Sequence, residues 1–137
     1  MTNKEIVQDM YASFAQGDIS RLLSYIAENC QWTVPGSKEV VPTAGVYSGR
    51  TQIAQFFATL RESTEFDAFE PRQFIAEGDQ VAVVGQYKAR LKGTRQAAAS
   101  DWMMLFTLQA GKLVRFQEFY DTGSVERIFD QARAARA

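Results

Sequence analysis

The hydrophobic period of this chain changes once along its length, and that change restricts the folds open to it. In the first half apolar residues recur mostly at the three- and four-residue steps of helices. From Phe66 onward they recur at every second residue, the step of strands. Thr2 stands three residues before Glu5, the spacing of a capping box, and Ile6, Val7, Met10, Tyr11 and Phe14 then mark one helix face. Gly17 is a natural stop, because glycine enters the left-handed conformation without a Cβ penalty. Asp18 can cap a second short helix carrying Leu22, Leu23 and Ile26. The segment CQWTV, 30–34, reads as a strand ended by Pro35 and Gly36, and a short strand is expected near Val46 and Tyr47. A third helix is predicted over about 50–62, with Ile53, Phe56, Phe57 and Leu60 on its apolar face.

The strand run that follows is predicted over 66–76, 80–92, 100–108 and 113–120, with turns at Glu77-Gly78-Asp79 and Gln109-Ala110-Gly111. Asp121 or Thr122 can cap a last helix over about 124–135. Helices first, then consecutive antiparallel strands, is the α+β pattern. With 137 residues and no internal repeat or linker, one domain over 1–137 is expected, large enough to need no disulfide or metal staple.

Composition narrows the chemistry. There is no histidine, which removes Ser-His and Cys-His nucleophile pairs, histidine zinc sites and a histidine general base. A single cysteine, Cys30, excludes an internal disulfide and a cysteine-cluster metal site, and it reads as a small buried hydrophobe. Scattered carboxylates without histidine make no convincing metal site, and no glycine-rich phosphate loop is present, so neither metal nor cofactor is assigned. A net charge of −1 argues against a nucleic-acid partner. No stretch approaches a membrane span, and the N-terminus reads as an amphipathic helix rather than a signal peptide, so no membrane and a cytoplasmic location are expected.

Three segments in this order, FAQGDISRLLSYIAENCQW, YSGRTQIAQFFATL and DWMMLFTLQAGKLVRFQEFYDT, resemble the SnoaL-like branch of the NTF2-like (ketosteroid-isomerase-like) superfamily. The likeness runs from about Lys4 to Phe129. It implies a cone, in which a curved antiparallel sheet wraps the N-terminal helices, a C-terminal helix follows, and a pocket lies at the open end. It also implies a homodimer through the outer face of the sheet. The ketosteroid isomerase residues, a tyrosine and two aspartic acids, would align with Met10, Val34 and Met104, none of which can move a proton. The Arg-Asp-Asp set of limonene-epoxide-hydrolase-like members would align with Gly85, Tyr87 and Glu118, so only the last keeps a carboxylate. Tyr11 sits directly beside Met10, within one residue of that register.

Glu118 belongs to the alternating set Val114, Phe116, Glu118 and Tyr120. A carboxylate set into an apolar face is costly unless paired or protonated, so its pKa should rise into the range useful for acid–base work. The plainer alternative pairs it with Lys88 or Arg90. Tyr87 and Tyr120, on the apolar faces of their strands, can orient Glu118 or hold a substrate oxygen. The expected lining includes Trp32, Val34, Trp102 and Met104, joined by Phe57, Leu60 and Phe116. Asp101 alternates onto the outer face, and Asp121 is better explained as a helix cap. The function expected is a SnoaL-like small-molecule enzyme of isomerase, cyclase, hydrolase or lyase type, using carboxylate acid–base chemistry on a small hydrophobic ligand. The alternative is a non-catalytic ligand-binding dimer. Met103, Leu105 and Phe119 are expected at the centre of the dimer face.

Overall fold

A computed structural model describes residues 1–136. Helix α1 (Asn3–Ala15) opens with the expected capping box: the Thr2 hydroxyl accepts from the Glu5 amide, and the Thr2 amide donates back to the Glu5 carboxylate. It buries Ile6, Val7 and Met10, and Gly17 follows at φ +73°. Asp18 accepts from the Arg21 amide and caps α2 (Ile19–Ser24). This helix is shorter than the apolar spacing implied. Ile26, expected on its face, instead begins strand β1 (Ile26–Val34), because the chain turns at Tyr25 and the β-rich run takes over.

Strand β2 (Gly45–Ser48) pairs antiparallel with β1 and leads into helix α3 (Gly49–Ser63), which buries Ile53, Phe56 and Phe57. Four strands then follow one another: β3 (Thr64–Glu77), β4 (Gln80–Leu91), β5 (Ala97–Gln109) and β6 (Lys112–Tyr120). Ala110 and Gly111, at φ +50° and +76°, form the tight two-residue turn between the last two. Helix α4 (Thr122–Arg136) closes the order. Asp121 accepts from the Ser124 amide at its start, as a cap.

The sheet is curved and unclosed, with the order β2-β1-β6-β5-β4-β3. It is mixed, which corrects the antiparallel expectation: β1 lies parallel to β6, with Trp32 opposite Phe116. Hairpin turns announce antiparallel neighbours, whereas this pairing joins strands distant in the chain and leaves no turn signal to read. A second correction concerns β6. An irregularity between Thr107 and Leu108 places Leu108 opposite Leu113 and Thr107 opposite Arg115. Leu113 is thereby fully buried while Val114 is turned off the inner face, a one-residue slip of the alternation.

The concave face holds the core. On β4, Val81 and Val83 are fully buried, and Tyr87, Ala89 and Leu91 continue the same face. Helix α4 covers one end of the cone, packing Ile128 and Ala132 on Leu91. The Glu126 carboxylate also accepts from the Ser37 amide, tying that helix to the loop after β1.

Candidate active site

Inside the cone lies a cavity of about 120 Å³. Its floor is the concave sheet: Trp32 and Val34 from β1, Met104 from β5, and Phe116, Glu118 and Tyr120 from β6. Helix α1 contributes Tyr11 and Phe14, and α3 contributes Phe57 and Leu60. Helix α4 adds Val125, Ile128 and Phe129. Aromatic packing holds this lining stiffly. The Trp32 ring stacks on Phe116 at 3.7 Å between centroids and 17° between planes, with Phe56 and Phe57 each 5.5 Å away.

Glu118 is the one carboxyl among these lining residues. Its Cα partner on β5 is Met104, and Phe116 and Tyr120 flank it on its own strand. No hydrogen bond or ion pair to its carboxyl is found among the described residues. The rim pairing expected as the plainer alternative is not formed: Arg90 is held by Asp67 at 2.9 Å and by Glu65 at 3.2 Å, and Lys88 is exposed. Burial among apolar groups pushes the Glu118 pKa up to about 7. It keeps some exposure, and it faces the cavity it lines, so a bound molecule can meet the carboxyl.

Three phenols surround this carboxyl. Tyr87 and Tyr120 line the cavity, and both have pKa values raised first by burial and then by the charge of Glu118. Their rings lie 6.4 Å apart. The Tyr120 hydroxyl is committed, donating to the Pro35 carbonyl at 3.1 Å. The third phenol, Tyr11, lies outside the site expected from sequence. Its pKa is raised by the same two causes in the same order, and its hydroxyl donates to the Met104 sulfur at 3.0 Å. A thioether is a weak acceptor, so a ligand oxygen can take that hydrogen bond over at small cost. The signal that points to Tyr11 is its place on the apolar face of α1, one position from the family's tyrosine register.

Trp102 does not line the cavity, unlike the other lining residues expected from sequence. It faces inward and is 2% exposed, but its ring packs against both Tyr11 and Phe69 and occupies the notch left by Gly85. A Cβ at Gly85 would overlap both that indole and the Glu70 carbonyl oxygen. The position that the epoxide-hydrolase alignment gives to an arginine is therefore filled by a neighbouring ring. The indole nitrogens of Trp32 and Trp102 are buried and have no hydrogen-bond partner among the described residues.

The remaining candidates fall away from the cavity. Asp101 is exposed on the outer face and accepts from the Gln86 amide group at 3.3 Å. Cys30 is fully buried, and burial pushes its thiol up to about 11, so it stays protonated and unreactive at neutral pH. Among the described residues no three side chains of metal-ligating type come together, and no helix is long and apolar enough to cross a membrane.

The profile of the SnoaL-like domain matches residues 7–116. An NTF2-like protein from Burkholderia xenovorans superposes with a TM-score of 0.84 at 31% identity, covering 94% of this chain and 98% of that one. TerC, co-crystallised with polyporic acid, superposes with a TM-score of 0.80 at 27% identity, covering 92% of this chain and 96% of its own. An uncharacterised protein of Mycobacterium tuberculosis is 22% identical over 116 residues, which is 85% of this chain and 86% of that protein. With its curved sheet, enclosed helices and C-terminal helix, the chain belongs to the SnoaL-like domain family of the NTF2-like fold.

Proposed function

We propose that this protein is an acid–base enzyme acting on a small, mainly apolar organic molecule, with Glu118 as the group that moves the proton. One observation carries the reading: among the described residues Glu118 is the single carboxyl lining the cavity and lacks a partner, and burial moves its pKa to about 7. A carboxylate with a pKa of about 7 is both a competent base and a competent acid at physiological pH. In this reading Glu118 removes a proton from carbon next to a carbonyl and returns it elsewhere. Tyr11 and Tyr87 hold the oxygen on which charge develops, and apolar side chains keep the carboxyl out of bulk water. Tyr120, bound to Pro35, positions rather than donates. The likeness to TerC, co-crystallised with polyporic acid, supports an organic ligand for this cone.

The test is deuterium exchange at the α-carbon of a small cyclic ketone, followed by proton NMR in D₂O. The wild type should accelerate exchange, with a rate that rises with pH through about 7 as Glu118 ionises. Glu118→Gln should bind the ketone about as well and lose the acceleration. Equal exchange in the two proteins would remove Glu118 from the mechanism. The rival reading, a non-catalytic ligand-binding protein, draws support from Met10, Val34 and Met104 at the ketosteroid isomerase positions. It predicts binding without exchange in either protein.

The assembly proposed is a two-fold homodimer through the convex face. Met103 and Phe119, opposite each other on β5 and β6, are 42% and 48% exposed there, and Leu105, two positions beyond Met103 on the same face of β5, is half-buried. A contiguous patch of large apolar groups is the usual mark of an interface.

A further inference from the structure

The cavity at Glu118 is small for its lining. About 120 Å³ is of the same scale as an engineered apolar cavity of roughly 150 Å³ that takes up one benzene ring, and well below the roughly 300–1,000 Å³ of sites for larger ligands. A second, wider space lies beside it. A groove of about 570 Å³ runs between the end of α1, helix α3 and the start of β3, bordered on its outer side by Ala54, Ala58 and Arg61. The two spaces share Phe14, Phe57, Leu60, Thr64 and Phe66 as lining residues. These shared side chains stand between chamber and groove, and they pack on one another: Phe14 lies 6.1 Å from Phe57 and 6.2 Å from Phe66. Phe57 is buried and belongs to the core, whereas Phe14, Leu60 and Phe66 are only partly buried, so the partition has a rigid member and three that open toward the groove.

We propose that this partition is the size filter of the site: Leu60, with Phe14 and Phe66, limits the ligand of the Glu118 chamber to a neutral molecule of one ring. The inference rests on the reading of that chamber as a ligand site. Neutrality follows from the lining. The one cationic side chain among the described lining residues, Arg90, is already bound by Asp67 and Glu65, so among these residues no free cation offsets the Glu118 charge for an anionic ligand. A ligand of two linked rings needs more room than about 120 Å³, and the groove beyond Leu60 is a space beside the chamber that can take its second ring.

Calorimetric titration with phenol, 4-phenylphenol and benzoate at pH 8.5 tests this. The wild type should bind phenol at least tenfold more tightly than either of the others. Leu60→Ala should raise affinity for 4-phenylphenol at least tenfold relative to that for phenol. Adding Ala58→Trp, which fills the groove from an exposed position, should cancel that gain; a merely loosened protein would not respond to it. Equal binding of phenol and 4-phenylphenol by the wild type would overturn the filter, as would an unchanged preference in Leu60→Ala. Tight binding of benzoate would overturn the neutral class. If the affinities shift as expected and no deuterium exchange is seen, the filter stands and the catalytic reading fails. Exchange without the shift would remove the filter and leave the catalytic reading standing.

Discussion

Replacing Glu118 by glutamine should make the protein more stable, and by an amount that depends on pH. In the unfolded chain the Glu118 carboxyl titrates at its ordinary value of 4.5, and in the folded chain at about 7. The folded state therefore binds this proton more tightly, so its contribution to stability is complete below pH 4.5 and is lost as pH rises through 7. Roughly 2.5 pH units at about 1.4 kcal/mol each put the whole loss near 3.5 kcal/mol. Glutamine has nearly the same shape and no charge to bury, so it escapes this term. Urea unfolding of both proteins, followed by tryptophan fluorescence from pH 5 to pH 8.5, isolates the effect, because every other titrating group cancels in the difference. The stability of Glu118→Gln relative to wild type should climb by about 2.5 kcal/mol across that range and then level off. A difference constant within about 0.5 kcal/mol would show that the carboxyl is solvated in the folded protein, and the acid–base reading would lose its footing.

Gly85→Ala should lower stability by at least about 1–3 kcal/mol in thermal denaturation, because the new methyl group meets the Trp102 ring and the Glu70 backbone. An unchanged melting temperature would mean that the ring does not sit in that notch. Tyr11→Phe should cost less than about 1 kcal/mol of stability, since it removes only a bond to sulfur, yet slow deuterium exchange about 10²-fold. Unaltered exchange would take Tyr11 out of the site. Wild type should sediment as a dimer at micromolar concentration, with burial of Met103, Leu105 and Phe119 supplying roughly 1.5–3 kcal/mol per side chain. Leu105→Glu should sediment as a 15.4 kDa species, and a wild type of that mass would refute the dimer.

Local signals carried most of the elements. The Thr2–Glu5 box, the apolar spacing of α1 and α3, and the alternation of β4 each depend on neighbours in the chain, and each is found where its spacing put it. What sequence periodicity could not carry was the set of relations between distant segments. The slip at Thr107 that exchanges Val114 for Leu113 on the inner face is settled by how β5 meets β6, not by β6 alone. Trp102 has the alternation of a lining residue. Its ring lies in the Gly85 notch because a glycine two strand positions from Tyr87 leaves room there, which no pattern along β5 records. Tyr11 was visible as a helix-face residue, but its nearness to Glu118 needs α1 laid across the sheet. Glu118 itself was legible because a charged residue in an alternating apolar run stands out wherever the strand is placed.

The parallel pairing of β1 with β6 also sets an order of assembly. Every other neighbour in the sheet is the next strand along the chain, so those ladders can form as the chain emerges. Strand β1 has only β2 until β6 arrives, and Trp32 waits for Phe116 from the far end of the sequence. Closing so long a loop is slow, and until it closes one side of β1 is a bare edge carrying cysteine, tryptophan and valine. During synthesis the N-terminal third is thus an unfinished sheet whose completion depends on the last strand translated. Mutations that weaken β6 should then show themselves as lost yield from aggregation through β1 before they show themselves as lost stability.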